Sequence, residues 1–439
     1  MNKKVLVITP FCAPETHAAV FRAHKLVKYL KREGWQPIIL TVATNYTYNE
    51  DLGLLKELEG IPIYRTSYVE PTLRGLKMWL TGKDLTYKTL KKTDVYDNSY
   101  RNHENDLKTQ KPKPIQKAYH YLLEHYLKKP DRFWTWKKSA FKKAKEIIKQ
   151  KNVEFIYTTM SPYTVGEIGL KIKSNYPAIK WIADFRDPQL SVSRNHSSIK
   201  HVFKKQKKIK ELVLNQADRI ITASYAHKLM LLSRYGSLSH KEIYHIPTGV
   251  DNDYLPSKSV SVLIEEDYIV FVGEYLQEYG DYFFKIFSNL NTNLKIRIIG
   301  NININQAILL GISDKYNLRD RMSFIDHMPQ KKLYNIIKGA KAALLIPNSL
   351  WWCSFAKMAD YIALEVPIIA KVPDLSEARM QLNKAGLGLF LTGNEKEDLD
   401  ILTSFFIDNE SLIRVNKDFC ENFLATTQVR SFINVFKSL

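Results

Sequence analysis

A chain of 439 residues, 45% of them hydrophobic, exceeds what one core comfortably organises, so a globular protein of two domains is the default. Its 65 Lys and Arg against 45 Asp and Glu leave a formal charge of +20, which predicts attraction to anions: nucleic acid, acidic lipid headgroups or phosphorylated metabolites. The three cysteines, Cys12, Cys353 and Cys420, are far apart and odd in number, which excludes a disulfide framework and a CxxC metal site and points to a reducing compartment, read as cytoplasmic.

The opening MNKKVLVITPFCAPE mimics a secretion signal in its lysines and apolar stretch. Pro10 breaks that stretch and no small-residue cleavage pattern follows, so a first buried strand is expected. AAVFRAHKLVKYLKREG reads as an amphipathic helix closed by Gly34 and QPIILTVAT as the next strand, the βαβ signature of a parallel sheet. Residues 70–135 break the rhythm: KDLTYKTLKKTDVYDNSYRNHENDLKTQKPKP is polar, rich in Lys, Asn, Asp and Tyr, and reads as an insertion or loop of poor order. Alternation resumes with the helix WKKSAFKKAKEIIKQ, the strand VEFIYTTM, a helix after Ser161-Pro162, the strand KWIADF, a basic helix around 199–215 and the strand DRIITAS. A short strand-like EIYHIP leads into TGVDNDYLP, whose Gly, Pro, Asn and Asp mark a linker. No apolar run approaches the roughly 20 residues needed to span a bilayer, so a membrane would be met from one side only.

The second half repeats the plan with DYIVFVGEY, LKIRIIGN, RMSFIDHMP, AKAALLIPNS and VPIIAKVP as candidate strands separated by helical segments. The expected fold class is α/β, two Rossmann-like domains facing across a cleft. Residues 1–246 form the first, with the polar insertion at about 70–135; residues 247–415 form the second; a C-terminal helix in 416–439 crosses back to the first. In such sheets ligands collect beyond the carboxyl ends of the strands. That singles out Asp184, Arg186 and Asp187 in WIADFRDPQ, Glu15, Thr16, His17 and Arg22 in APETHAAVFR, Gly273 and Glu274 in VGEY, and Lys357 and Asp360 in CSFAKMADY. For the first trio the competing reading is an ion-pair knot that fixes a loop. No DxD-like metal motif stands at a strand end, and the DND at 251–253 reads as turn chemistry, so no metal is expected.

Five segments carry a family resemblance. IPTGVDNDYLP resembles the interdomain P-N-G-V-D-x-x-x-F segment of glycosyltransferase family 4, and AKMADYIALEVPIIA resembles that family's K-x-x-E-Y-x-A-x-G-x-P-V-I-A. PDRFWTWKKSAFKKA, FIYTTMSPYTVGEIGL and WIADFRDPQ are similar, in that order, to the subgroup carrying D-x-R-D-P-W. The resemblance implies a GT-B fold with a nucleotide-sugar donor against the second half, an acceptor against the first, and reaction in the cleft. It implies metal-independent transfer, with no cofactor and with retention of configuration, to a saccharide or polyprenyl-phosphate-linked acceptor in bacterial surface polysaccharide synthesis.

Residue by residue, the resemblance puts Lys357 at the phosphate-contacting basic position and Asp360, one methylene short, in place of the glutamate that accepts from the ribose hydroxyls. Gly249 and Gly273 would let backbone approach the diphosphate, His327 and Met328 follow a strand where the family places the nucleobase, and Arg22 would reach a phosphate or the acceptor. The plainer readings are a solvated lysine, turn glycines, a loop histidine with a core methionine, and an i,i+4 surface pair for Arg22. Arg186 is pictured between the two acids; under inversion Asp184 or Asp187 is the base, and under retention the leaving phosphate takes the proton. The chain departs from the family where Gln277, Glu278 and Tyr279 replace an expected cation, with Lys285 too far along. It departs again at Trp352, where an acid is expected, and at Glu365, the usual glycine.

Two lysine runs remain. Lys200, Lys204, Lys205, Lys207, Lys208 and Lys210 crowd one segment, and Lys137, Lys138, Lys142, Lys143, Lys145 and Lys149 another, with Trp134, Trp136, Phe141 and Phe203 nearby. A solvated helix face is the usual explanation; the aromatics favour docking on an anionic membrane, as a peripheral protein of its inner face. No zinc finger, RNP-like strand or helix-turn-helix pattern accompanies the charge, so nucleic acid is not an expected partner. A nonhydrolysing sugar-nucleotide epimerase on the same fold is the nearer rival.

Overall fold

The computed structural model describes residues 3–16, 18–43, 50–81, 114–187, 199–238, 242–256, 266–346, 351–408 and 411–439. His17, Pro188 and residues 82–113 of the expected insertion lie outside them. The chain divides into two compact units: Met1–Thr222 with Leu232–Tyr244 and Ile433–Leu439, and Ala223–Leu231 with His245–Phe432.

Among the described residues the first unit carries a seven-stranded sheet. Its strands are β1 (Lys4–Ile8), β2 (Gln36–Val42), β3 (Ile63–Thr66), β4 (Phe155–Met160), β5 (Lys180–Phe185), β6 (Arg219–Thr222) and β7 (Ile243–His245), in the spatial order β3-β2-β1-β4-β5-β6-β7. Val5 of β1 lies between Pro37 and Phe155 in parallel register. β1 from Val5 onward and all of β4 are buried without the alternation of a half-exposed strand, as strands covered on both faces are. Strand order reverses between β1 and β4, and the carboxyl ends of those two strands open the crevice of a doubly wound sheet. Phe436, near the chain's end, packs in this unit on Trp35 and Phe155, with ring centroids 5.1 and 5.4 Å away.

The stretch expected to be irregular is helical at both flanks. Leu73–Thr81 and Pro114–Leu122 are α-helices, and the second continues through a π-turn at Leu123–Leu127. The counts of polar residues hid this: LRGLKMWLT and IQKAYHYL space their apolar side chains at helical intervals, and Pro114 takes the first helical position, where its missing N–H costs nothing.

The second unit repeats the plan. Its strands β8 (Tyr268–Val272), β9 (Lys295–Ile299), β10 (Met322–Ile325), β11 (Ala342–Leu345), β12 (Ile368–Ala370) and β13 (Gly388–Phe390) form a sheet in the order β10-β9-β8-β11-β12-β13, with apolar clusters on both faces. Both units are Rossmann-like. Residues of TGVDNDYLP run against the chain's end: the Val250 N–H donates to the Phe423 carbonyl at 2.7 Å, and Asp251 accepts from the Asp253 amide at 3.0 Å, the turn chemistry expected of the DND triplet. Glu377 is buried and caps the helix Tyr225–Arg234, accepting from the amides of Tyr225 and Ala226 at 2.9 and 2.8 Å. Glu365 stands at φ +53°, the left-handed conformation that closes the helix Ala356–Ala363 and explains why the resembling segment carries glycine there.

Candidate functional site

In the first unit, the loop after β1 folds inward. Glu15 is buried, and its carboxylate accepts from the Cys12 amide at 3.4 Å. Arg65 of β3 donates to the Ala13 carbonyl at 2.5 Å, which fastens the loop to the sheet edge. Thr16 is half-buried beside it. Arg22, on the helix Ala18–Arg32, is buried and reaches across to β5, where its Nε lies 2.6 Å from Asp184 Oδ2 and its Nη2 3.1 Å from Oδ1. The Tyr157 hydroxyl of β4 donates to the same Oδ2, and burial together with Asp184 pushes that phenol well above its usual range.

These contacts correct three expectations. Arg22 is neither a surface pair nor a ligand-facing cation, because a bidentate carboxylate already holds its guanidinium. Asp184 is fully buried, with both oxygens engaged by Arg22 and Tyr157, so its geometry is that of an anchor and not of an exposed base. Arg186 is not clamped between two acids: among the described residues it pairs with Asp187 alone, through Nε at 2.9 Å and Nη2 at 2.6 Å. Asp187, its side chain 36% exposed just beyond β5, is the acid of the trio that solvent reaches.

Sequence reasoning missed Asp131, in the PDRFWTW stretch. It is half-buried, and its carboxylate accepts from the amide of Thr164 at 2.8 Å, from the Thr164 hydroxyl at 2.7 Å and from the Phe133 amide at 2.9 Å. It thereby closes the N-terminus of the helix Tyr163–Asn175, the helix that follows β4 at the crevice. The position where a Rossmann-type unit offers amides to a phosphate is filled here by the chain's own carboxylate.

In the second unit the turn after β8, the counterpart of β1, is organised differently. Gly273, at φ +112°, turns the chain out of β8. Asn305 is buried and holds that turn from both sides: its Nδ2 donates to the Gly273 carbonyl at 3.0 Å and its Oδ1 accepts from the Tyr275 amide at 2.8 Å. Gly300 packs against the same peptide, and a Cβ there would lie 2.4 Å from the Gly273 oxygen. We expect Asn305→Ala to cost roughly 1–3 kcal/mol by stranding both backbone groups, read as a lower midpoint in chemical denaturation. An unchanged midpoint would remove Asn305 as the organiser of the turn. The residue belongs to no recognisable motif, so nothing local marks it out.

Lys357 sits in the first turn of the helix Ala356–Ala363, whose N-terminus has no side-chain cap among the described residues. The side chain is half-buried, with Nζ 4.3 Å from the centre of the Phe271 ring and 5.9 Å from that of Tyr279. No carboxylate among the described residues forms an ion pair with it, and burial pulls its pKa down to about 8. Tyr361, one turn on, accepts from the Val272 amide at 3.1 Å through its hydroxyl oxygen and so locks this helix to the end of β8. Asp360 accepts from the Tyr334 hydroxyl at 3.0 Å. A second lysine, not expected from sequence, follows β12: Lys371 is exposed, with Nζ 3.8 Å from the centre of the Tyr282 ring. Tyr282 is itself held by Asp398 at 2.6 Å. Glu274 lies half-buried in the turn after β8.

The remaining expected residues separate. Lys285 pairs with Glu395 on the helix Glu395–Phe406. His327 is exposed after β10, whereas Met328 packs against the unit's core. At Gly249 a Cβ would meet the flexible end of the Gln428 side chain at 2.3 Å. Among the described residues no group of three or more His, Cys, Asp and Glu is arranged to hold a metal ion.

No protein-family model matches the sequence, and no curated protein matches it. Solved structures do. The chain is similar to sucrose-phosphate synthase of Thermosynechococcus elongatus, with TM-score 0.62 at 12% identity over 99% of this chain and 98% of that one. It is similar to HepE of Anabaena, solved with UDP and glucose, with TM-score 0.61 at 12% identity over 100% of both chains. A Listeria monocytogenes protein described as a UDP-N-acetylglucosamine 2-epimerase gives TM-score 0.53 at 13% identity over 100% of this chain and 96% of that one. At these identities the likeness shows the fold, GT-B, with two Rossmann-like domains in one chain.

Proposed function

We propose that this chain is a glycosyltransferase that moves a sugar from a nucleotide-sugar donor on the second unit to a polyprenyl-phosphate-linked saccharide on the first, in bacterial surface polysaccharide synthesis. The observation that carries the reading is Lys357: a half-buried ammonium stacked on aromatic rings at the carboxyl end of β8, with no carboxylate paired to it among the described residues. A buried charge without a counter-ion is costly, and the diphosphate of a donor is the anion this crevice of a doubly wound sheet suits. HepE, with UDP bound, supports the same ligand class.

The chemistry follows from charge. The bond between the anomeric carbon and the phosphate oxygen breaks, the acceptor oxygen bonds that carbon, and negative charge grows on the leaving diphosphate. Lys357, the uncapped amides of its helix and Lys371 stabilise it, the last standing in for the cation missing after Gly273. No metal is required in this reading. With retention the leaving phosphate takes the acceptor's proton, and Asp187 with Arg186 orients the acceptor.

A thermal-shift panel of nucleotides and nucleotide sugars tests it: a true ligand at 100 times its dissociation constant stabilises by about 2.7 kcal/mol. No response to any of them sinks the reading. Asp187→Asn should leave the nucleotide response intact and lower transfer; loss of both would assign Asp187 to folding. The likeness to the Listeria protein favours epimerisation as the second reading, and product analysis with and without acceptor separates the two.

A further inference from the structure

The helix Leu73–Thr81 is seated backwards for a globular protein. It buries its glycine, Gly75, where a Cβ would lie 2.1 Å from the Glu70 carbonyl oxygen. Its large apolar side chains point outward: Leu76 is 46% exposed, Trp79 63% and Leu80 68%. Such a face is not a folding contact within the described residues, and contiguous exposed apolar surface marks an interaction site.

The face is continuous with two other elements. The Leu73 amide donates to the Tyr119 hydroxyl at 3.0 Å, which joins the helix to Pro114–Leu122 and its π-turn, where Tyr126 is 61% exposed. The Trp134 indole N–H donates to the Leu127 carbonyl at 2.6 Å. His201 bonds the His125 carbonyl at 2.8 Å and brings in the first turns of the helix Lys200–Gln216, with Lys200 and Lys204 exposed. Lys77 is exposed on the first helix. Across 73–81, 114–129 and 199–208 the one acid is Glu124, and Lys128 neutralises it at 2.9 Å. Among the described residues no helix is long and apolar enough to cross a membrane.

We propose that this face docks the protein on the surface of an anionic lipid bilayer. Leu, Trp and Tyr side chains enter the headgroup boundary while the flanking lysines meet acidic headgroups, the division of labour of an interfacial helix. The surface differs from the one expected from the lysine runs: Trp136 is fully buried and Phe141 half-buried, so the apolar component comes from the flanks of the insertion instead. The inference stands apart from sugar transfer, because vesicle binding involves no donor.

The test is sedimentation of the full chain with vesicles of phosphatidylglycerol and phosphatidylcholine, and with phosphatidylcholine alone. Binding should require phosphatidylglycerol, weaken as salt rises, and fall by roughly tenfold or more in the triple variant Leu76→Ser, Trp79→Ser, Leu80→Ser. The pair Lys200→Glu, Lys204→Glu should weaken it independently, and circular-dichroism melting reports that each variant folds. The proposal is overturned if the wild type stays in solution with anionic vesicles, binds both vesicle types equally, or binds unchanged in the folded triple variant. It is equally overturned if ultracentrifugation shows a dimer that the triple variant dissolves, which would assign the face to a second copy of the chain.

Discussion

Lys357→Ala should remove the stabilisation that a nucleotide sugar confers on the wild type. A charge-assisted contact to phosphate contributes about 1.5–3 kcal/mol, so donor affinity should fall by roughly 10- to 100-fold, measured by calorimetric titration. The pH dependence adds a second, independent signature. Burial lowers this ammonium from the usual 10.5 to about 8 in the ligand-free protein. The folded pKa lies below the unfolded one, so between about pH 8 and 10.5 the unfolded chain holds more protons, and the stability of the free protein gains from this residue as pH rises through that window. Below it the lysine is a buried cation that burdens the fold. A bound diphosphate reverses the balance by favouring the charged form, so donor affinity should decline as pH rises above about 8. An affinity that is flat from neutral pH through that range, or undiminished in the variant, would dissociate Lys357 from the donor.

Asp184→Ala should cost about 3–5 kcal/mol of stability, because it leaves a buried guanidinium with no bidentate partner. The phenol of Tyr157 also loses its acceptor. Replacing both ions together, as Arg22→Met with Asp184→Leu, should cost much less than the single change, since no orphaned charge remains; guanidinium denaturation of the three proteins measures the difference. A folded, fully stable Asp184→Ala protein with impaired transfer would return this acid to the reaction itself.

The contrast between these two residues shows what the sequence could and could not disclose. Alternating apolar runs and amphipathic stretches are local, so both sheets were legible, as was the turn at Asp251, because the signal and the structure occupy the same few residues. Partnership is not local. WIADFRDPQ places Asp184, Arg186 and Asp187 within a few positions of each other, but β5 ends at Phe185: Asp184, inside the strand, is held in the core against Arg22, 162 residues away in sequence, whereas Arg186 pairs with Asp187 beyond the strand's end. Asp131 and Asn305 escaped notice for the same reason: each acts on backbone amides of a distant segment, and an amide leaves no mark in a sequence. Lys357 was singled out through a resemblance, whereas Lys371 was not, since only the fold brings the end of β12 beside Tyr282. The helices at the insertion's flanks were obscured by composition, which averages over the spacing that makes them amphipathic.

The contact between Gly300 and the Gly273 peptide has an evolutionary edge. Two strands of the second unit end with their backbones so close that even a methyl group would displace a carbonyl that helps shape the turn. A descendant of this chain is free to drift at Lys285, whose partner is a surface acid, and can exchange Glu365 for the glycine its backbone prefers. At position 300 it has nowhere to go, so that glycine will be inherited as faithfully as any reacting group, for want of room and not for want of chemistry.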